Sequence, residues 1–266
     1  MRVNIIIAKR DRNEHLKVCL HYLNRCCSDS KYKVNVYVVD DSVISFEHTP
    51  YSNFNLVYLS YPNSGLFNKS KLINYALARM DDFDWFSLVD IDMIYSDSFL
   101  SSIHKKVTLN YEYIVSHGYK LGETISKYTT TNLPELEYVT STAEKYEFKV
   151  GPSQITMTKR AYQRFLDVFG TPLYDEFYEG WGAEDSDISS KSILLCRRHM
   201  LLKDEIYNMW YHIYHEGSLI NQQQYQKNCA HLRERYNKNY STITQKYGGG
   251  SHAKTHPNYW NHGSRR

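Results

Sequence analysis

The chain has 266 residues, 42% of them hydrophobic, with 32 basic and 29 acidic side chains and a net charge of +3. That length suffices for one large α/β domain with a full core, and the interspersed charges exclude the concentrated basic face of a nucleic-acid binder. The five cysteines, Cys19, Cys26, Cys27, Cys196 and Cys229, follow no disulfide or zinc spacing, and no apolar run approaches a membrane span.

In chain order, Val3 to Ala8 predicts a first strand, and Leu16, Cys19, Leu20 and Leu23 follow at helical spacing. Val34 to Val39 is a second strand, ending in Asp40-Asp41-Ser42, which is also ordinary turn chemistry. A loop holding Pro50 and Pro62 leads to a helix near Lys69–Met80. The apolar run Trp85-Phe86-Ser87-Leu88-Val89 reads as a buried strand of a mostly parallel sheet. It closes on Asp90-Ile91-Asp92, at the strand end where open α/β sheets bind ligands. Residues i and i+2 of an extended segment point the same way. Two neighbouring carboxylates repel unless a cation or a proton intervenes, and oxygen ligands at this density suit Mg²⁺ or Mn²⁺. Such an ion holds a nucleotide diphosphate; taken alone, Asp-x-Asp is as often a turn cap.

Tyr113 to His117 predicts a further strand, and residues 118–147 form a polar stretch without clear period, expected as a long loop. Ser153 to Thr158 is a strand and Lys159 to Phe169 a helix. Residues 178–188 then read Tyr-Glu-Gly-Trp-Gly-Ala-Glu-Asp-Ser-Asp-Ile. Gly180 and Gly182 permit backbone closed to other residues, and they present Trp181 at a surface. Glu184, Asp185 and Asp187 precede a helix-like stretch, Ile188 to Arg198. Capping a helix N-terminus explains one of these acids well and three poorly. Tyr207 to His215 predicts a last strand, with Met209, Tyr211, Ile213 and His215 on one face and Trp210, His212 and Tyr214 on the other. A lone histidine there is usually a packed residue; two, after an Asp-x-Asp and an acidic loop, point to a metal ligand. Leu219 to Tyr236 predicts a final amphipathic helix, and from Gly248 the Gly-, His- and Arg-rich sequence is expected to be a flexible tail.

The order and spacing of these motifs resemble the β-1,4-galactosyltransferase family, and more broadly the inverting GT-A glycosyltransferases, including bacterial chondroitin-polymerase modules. The matching residues begin with Arg10-Asp11-Arg12-Asn13-Glu14-His15-Leu16 and Phe67-Asn68-Lys69-Ser70-Lys71-Leu72. They continue through Val89-Asp90-Ile91-Asp92, Gly180-Trp181-Gly182-Ala183-Glu184-Asp185-Ser186-Asp187-Ile188 and Met209-Trp210-Tyr211-His212. The Gly-Trp-Gly-x-Glu-Asp signature in register with Asp-x-Asp is the specific part.

The resemblance implies an α/β GT-A fold, a mixed, mostly parallel sheet with helices on both faces, over residues 1–247, with 248–266 as the tail. It implies transfer, with inversion, of a hexose or N-acetylhexosamine from a UDP-sugar to a saccharide or glycan hydroxyl. Asp92, Met209 and His212 would ligate Mn²⁺ or Mg²⁺, with His215 as an alternative ligand that more distant relatives use. Arg10, Arg12 and Asp40 or Asp41 would line the nucleotide pocket beside Asp90. Lys69 would meet the diphosphate, and Trp181 would form the sugar platform. Asp185 would be the general base, Glu184 would orient the acceptor or its loop, and Asp187 would cap the helix. Residues 118–147 would form part of the acceptor face. The chain departs from the family at Ser186 and Ala183, where Asp and Gly are usual, and over residues 148–153, which lack the glycine pair and the tyrosine that tunes donor choice. Galactose is therefore not implied. With the first strand starting near Met1 and neither anchor nor stem, the expectation is a cytoplasmic enzyme of bacterial or viral type.

Overall fold

β-Branched and aromatic residues run together in the segments that become strands, and the central strands β1, β2 and β4 are buried along their apolar runs. A computed structural model of the chain describes residues 1–42, 46, 50–61, 63–116, 118–143, 154–170, 172–180, 182–196, 199–201, 210–213 and 221–247. The elements are, in order, β1 (Arg2–Lys9), α1 (Asn13–Cys26), β2 (Lys33–Asp40), β3 (Asn55–Ser60), α2 (Lys69–Leu77), β4 (Trp85–Val89), β5 (Met93–Tyr95) and α3 (Phe99–Thr108). They continue with β6 (Tyr113–Val115), β7 (Tyr119–Lys120), α4 (Glu123–Asn132), α5 (Leu136–Thr142), β8 (Gln154–Thr158), α6 (Lys159–Phe169), α7 (Glu184–Leu195), β9 (His199–Leu201), β10 (Trp210–His212) and α8 (Gln222–Tyr247).

Seven strands form the main sheet in the order β3-β2-β1-β4-β8-β6-β9. The first four are mutually parallel, β8 runs antiparallel to both β4 and β6, and β9 is parallel to β6. Strand alternation sends Val3, Ile5 and Ile7 to one face, against Leu16, Leu20 and Leu23 of α1 and Phe99 and Ile103 of α3. Ile6, Tyr37 and Val39 go to the other, against Leu72 and Ile73 of α2, Phe165 of α6 and Ile188 of α7. Helices thus cover both faces. The C-terminal ends of β1, β2 and β4 open on one edge, and α1 and α2 start from it.

A second sheet, β5-β10-β7, stands beside this edge. Its central strand β10 depends on a close backbone approach. A Cβ on Gly118 would lie 2.0 Å from Trp210 Cε3, and the same indole donates from Nε1 to Ser116 Oγ at 3.1 Å. Gly118→Ala must therefore displace Trp210. The expected result is a loss of roughly 1–3 kcal/mol, the usual cost of overpacking, read as a lower thermal midpoint.

The polar stretch after β6 is not a long loop. Residues 123–142 hold α4 and α5, whose hydroxyls fold back onto their own helices, as from Thr129 Oγ1 to Ile125 O at 2.8 Å and Thr131 Oγ1 to Lys127 O at 3.0 Å. Their apolar stripe is sparse, with Val139 buried and Ile125, Leu133 and Leu136 partly buried against Val18, Tyr22, Tyr211 and Ile213. Residues 248–266, the expected tail, lie outside the described residues. Among the described residues no helix is long and apolar enough to cross a membrane, and all five cysteines are free thiols.

Candidate functional site

The open edge gathers charged side chains in three groups. The first sits where β1 and β2 end. Lys9, fully buried, places Nζ 2.7 Å from Asp40 Oδ2 and 3.0 Å from Ser42 Oγ. The Tyr58 hydroxyl donates to the same carboxylate, as does the Ser42 backbone N–H at 2.9 Å. Burial alone would raise the Asp40 pKa, but these donors and Lys9 hold it below the usual carboxylate value. Asp40 is 2% exposed and pairs with Lys9 inside the sheet.

Asp41 takes the neighbouring place. Arg10 grips it in fork geometry, Nε to Oδ1 at 2.9 Å and Nη2 to Oδ2 at 2.6 Å, and reaches the Gly65 carbonyl at 2.9 Å. Burial raises the Asp41 pKa against the pull of Arg10. Arg10 also lies 5.7 Å from the Phe67 ring, so it ties the segment before α2 to the end of β2.

The second group lies after β4. Asp11 and Arg12 both adopt left-handed backbone, φ 55° and 52°, a conformation costing about 1–2 kcal/mol for a residue with a Cβ. The turn swings Arg12 across the edge, with Nη1 3.0 Å from Asp92 Oδ2. On the other side of Asp92, His212 Nε2 lies 3.7 Å from the same oxygen. The register fixes this meeting: His212 pairs with Met93 across β10 and β5, and the Ile213 N–H donates to the Asp92 carbonyl at 2.8 Å. A carboxylate and an imidazole at this spacing suit a shared cation of the Mn²⁺ kind. Among the described residues no group of three His, Cys, Asp or Glu side chains converges to hold a metal. Met209 and His215, and likewise Trp181, lie outside the described residues.

The third group centres on Lys69, the first residue of α2. Its ammonium is 2.8 Å from Asp90 Oδ1 and 3.4 and 3.3 Å from the two oxygens of Asp185. Asp185 stands in the first turn of α7, entered through Gly180, Gly182 and Ala183, all with positive φ (71°, 91° and 81°). Only glycine takes such values without strain, so Ala183 marks a costly turn. Burial pushes the Asp185 carboxyl up to about 8; Lys69 opposes the rise, and Glu184 and Asp90 add to it. Glu184 is raised by burial too, against Lys69.

Asp187 does not cap α7. It sits one turn in, 2% exposed, with Oδ2 2.5 Å from Nζ of Lys191, itself 2% exposed. The backbone of Ala183 starts the helix, and the acid four residues on faces inward. Asp187→Asn keeps an acceptor but leaves the buried ammonium without its counter-charge. It should cost roughly 1–3 kcal/mol in denaturant titration and leave UDP binding unchanged.

Sequence reasoning missed the groups that hold this machinery in place. Lys9 had one signal, a charge at the end of a buried strand. Asn228 of α8, fully buried, had none: its Nδ2 donates to Glu179 O at 2.9 Å and Gly182 O at 3.1 Å, clamping the glycine loop. His231 Nε2 and Arg235 Nε of the same helix hold Asp175 Oδ2 at 2.8 and 3.0 Å.

By sequence, no family model and no curated protein matches the chain. By structure, S. aureus TarS 1–349 is similar, with a TM-score of 0.57 at 15% identity over 92% of this chain and 70% of that one. The same fragment in complex with UDP-GlcNAc gives 0.57 at 16% identity, over 92% and 71%. The chain spans 42% of a longer TarS structure. A Drosophila β-1,4-galactosyltransferase 7 mutant with manganese, UDP-Gal and xylobiose gives 0.49 at 14% identity, over 84% and 78%. The chain has the GT-A fold.

Proposed function

We propose that the chain is a metal-dependent inverting glycosyltransferase, moving a hexose or N-acetylhexosamine from a UDP-sugar to a saccharide hydroxyl. The observation that carries this reading is the convergence, on one sheet edge, of a half-buried carboxylate at the start of a helix with Lys69, Asp90 and the Asp92–His212 pair. The TarS fragment solved with UDP-GlcNAc supports the donor class.

Each residue then has a task. UDP leaves as a di- or trianion, and its departure needs positive charge nearby. Arg12 and Lys69 stand at that edge, and Arg10 with Asp41 shapes the nucleotide side. Asp92, Met209 and His212 would hold the cation, with His215 as the alternative to His212; the bound ion would neutralise diphosphate charge. The donor chemistry, one hard oxygen and softer partners, suits Mn²⁺ better than Mg²⁺. The acceptor hydroxyl is a poor nucleophile. Asp185 takes its proton as the oxygen attacks the anomeric carbon opposite UDP, while Glu184 orients the acceptor or its loop. Trp181 offers the sugar a flat apolar face. No enzyme-bound covalent intermediate is required.

The test is a panel of nucleotide sugars with saccharide acceptors, scored by UDP release with Mn²⁺ present. Turnover of a UDP-sugar, lost in EDTA, is the expected result, with anomeric analysis of the product reporting inversion. Release from no nucleotide sugar would overturn the reading, and a product of retained configuration would overturn the mechanism.

A further inference from the structure

We propose that Lys69 is a positioning residue for the base: it bridges Asp90 to Asp185, anchors the Asp185 side chain and favours its carboxylate form, beyond any contact it makes with a diphosphate. This inference rests on the reading of Asp185 as the general base.

Lys69 is fixed from two directions. Its backbone opens α2, and that helix start is sewn to the segment leading into α7. The Gly180 N–H donates to Phe67 O at 2.7 Å, and Asn68 Nδ2 donates to Glu176 O at 2.8 Å. The Asn68 side chain also caps α2 by accepting from the Lys71 N–H at 2.9 Å. The Lys69 side chain then reaches out between two acids from separate elements, Asp90 after β4 and Asp185 on α7. Little rotamer freedom remains, so the pairing is preorganised.

The distances divide the ammonium unequally. It makes a short contact to Asp90, 2.8 Å, and a longer, symmetric one to Asp185, 3.3 and 3.4 Å to the two oxygens. A short single hydrogen bond would occupy a lone pair and weaken a base. A symmetric long contact supplies counter-charge and leaves both oxygens able to accept a proton.

Counter-charge is what this pocket lacks. Among the described residues, the groups facing Asp185 are Lys69 of α2, Asp90 after β4, Glu184 beside it on α7, and the buried phenols Tyr113 of β6 and Tyr174 before α7, and Lys69 is the one cation of that set. Without it, three acids share the site with no counter-charge, and Asp185 keeps its proton to a higher pH.

The experiment compares wild type, Lys69→Met and Lys69→Arg in three readouts: the pH profile of kcat, UDP affinity by calorimetry, and the titration of the Asp185 carboxyl carbon by NMR, assigned with Asp185→Asn. An opposite charge at this range moves a carboxyl by about 1–3 pH units. Lys69→Met should therefore shift both the acidic limb of kcat and the NMR midpoint upward by about one unit or more, roughly tenfold in rate below the limb. Lys69→Arg should restore both. Lys69→Gln serves in the same way should the Met variant not fold. A variant that loses UDP affinity with limb and midpoint unmoved would overturn the proposal and leave Lys69 a donor contact. A shifted NMR midpoint alongside an active Asp185→Asn enzyme would keep the bridge and overturn the base instead.

Discussion

Asp185→Asn should lose kcat by about 10²–10⁴-fold, the usual contribution of a general base, while UDP and Mn²⁺ binding survive. The amide keeps the shape of the carboxylate and removes the proton acceptor, so the loss belongs to chemistry. Two pH effects accompany it. In the proposed mechanism Asp185 works as a carboxylate, and burial pushes its carboxyl up to about 8 in the free protein. Wild-type kcat/KM should therefore rise with pH through that region and then level. Stability should move the other way. The unfolded carboxyl titrates near 3.8 and the folded one near 8, so between those values the folded state holds a proton that the unfolded state has released. Folding thus binds protons, and the native state loses stability as pH rises across the window. Asp185→Asn abolishes that term and should melt higher than wild type at pH 8. A variant with near wild-type kcat while Glu184→Gln is inactive would move the base to Glu184.

Asp92→Ala should abolish turnover and remove the effect of Mn²⁺ on UDP affinity. Partners that merely orient a metal ligand typically cost 10–100-fold, so a ligand itself should cost at least about 10²-fold. The side chain alone is at stake. Its backbone carbonyl still accepts from the Ile213 N–H at 2.8 Å, so the β5–β10 ladder should persist. Arg12 loses its partner at 3.0 Å and His212 loses the oxygen at 3.7 Å. Calorimetry of UDP with and without Mn²⁺ reads the difference: wild type should bind tighter with the ion and the variant should not respond to it. Full activity of the wild type in EDTA would remove the metal from the reaction.

Much of the fold was legible because its strands are short apolar runs with sharp ends. Lys159 to Phe169 is a helix in both the sequence reading and the structure, and Val34 to Val39 grows by one residue at each end. The failures have physical causes. α4 and α5 carry too few apolar residues to show a period, and their threonines stabilise the helix through bonds that no pattern displays. β3, with most of its residues half-buried at the sheet edge, was hidden between two prolines. At the site, the crowding of three acids was readable but not its division of labour. Asp187 faces Lys191 because the helix starts at Ala183, one turn before the sequence suggested. Asp40 and Asp41 are identical in sequence terms, and their partners separate them, buried Lys9 for the first and Arg10 for the second.

Asn228, His231 and Arg235 reach Glu179, Gly182 and Asp175 from a helix that follows them in the chain. The segment bearing the base is translated before the helix that closes it. A ribosome-bound chain that has already paired β1 to β4 therefore still lacks its finished glycine loop. Under the proposed function, a chain that ends before Asn228 should lose the clamp on the glycine loop and with it UDP-sugar turnover.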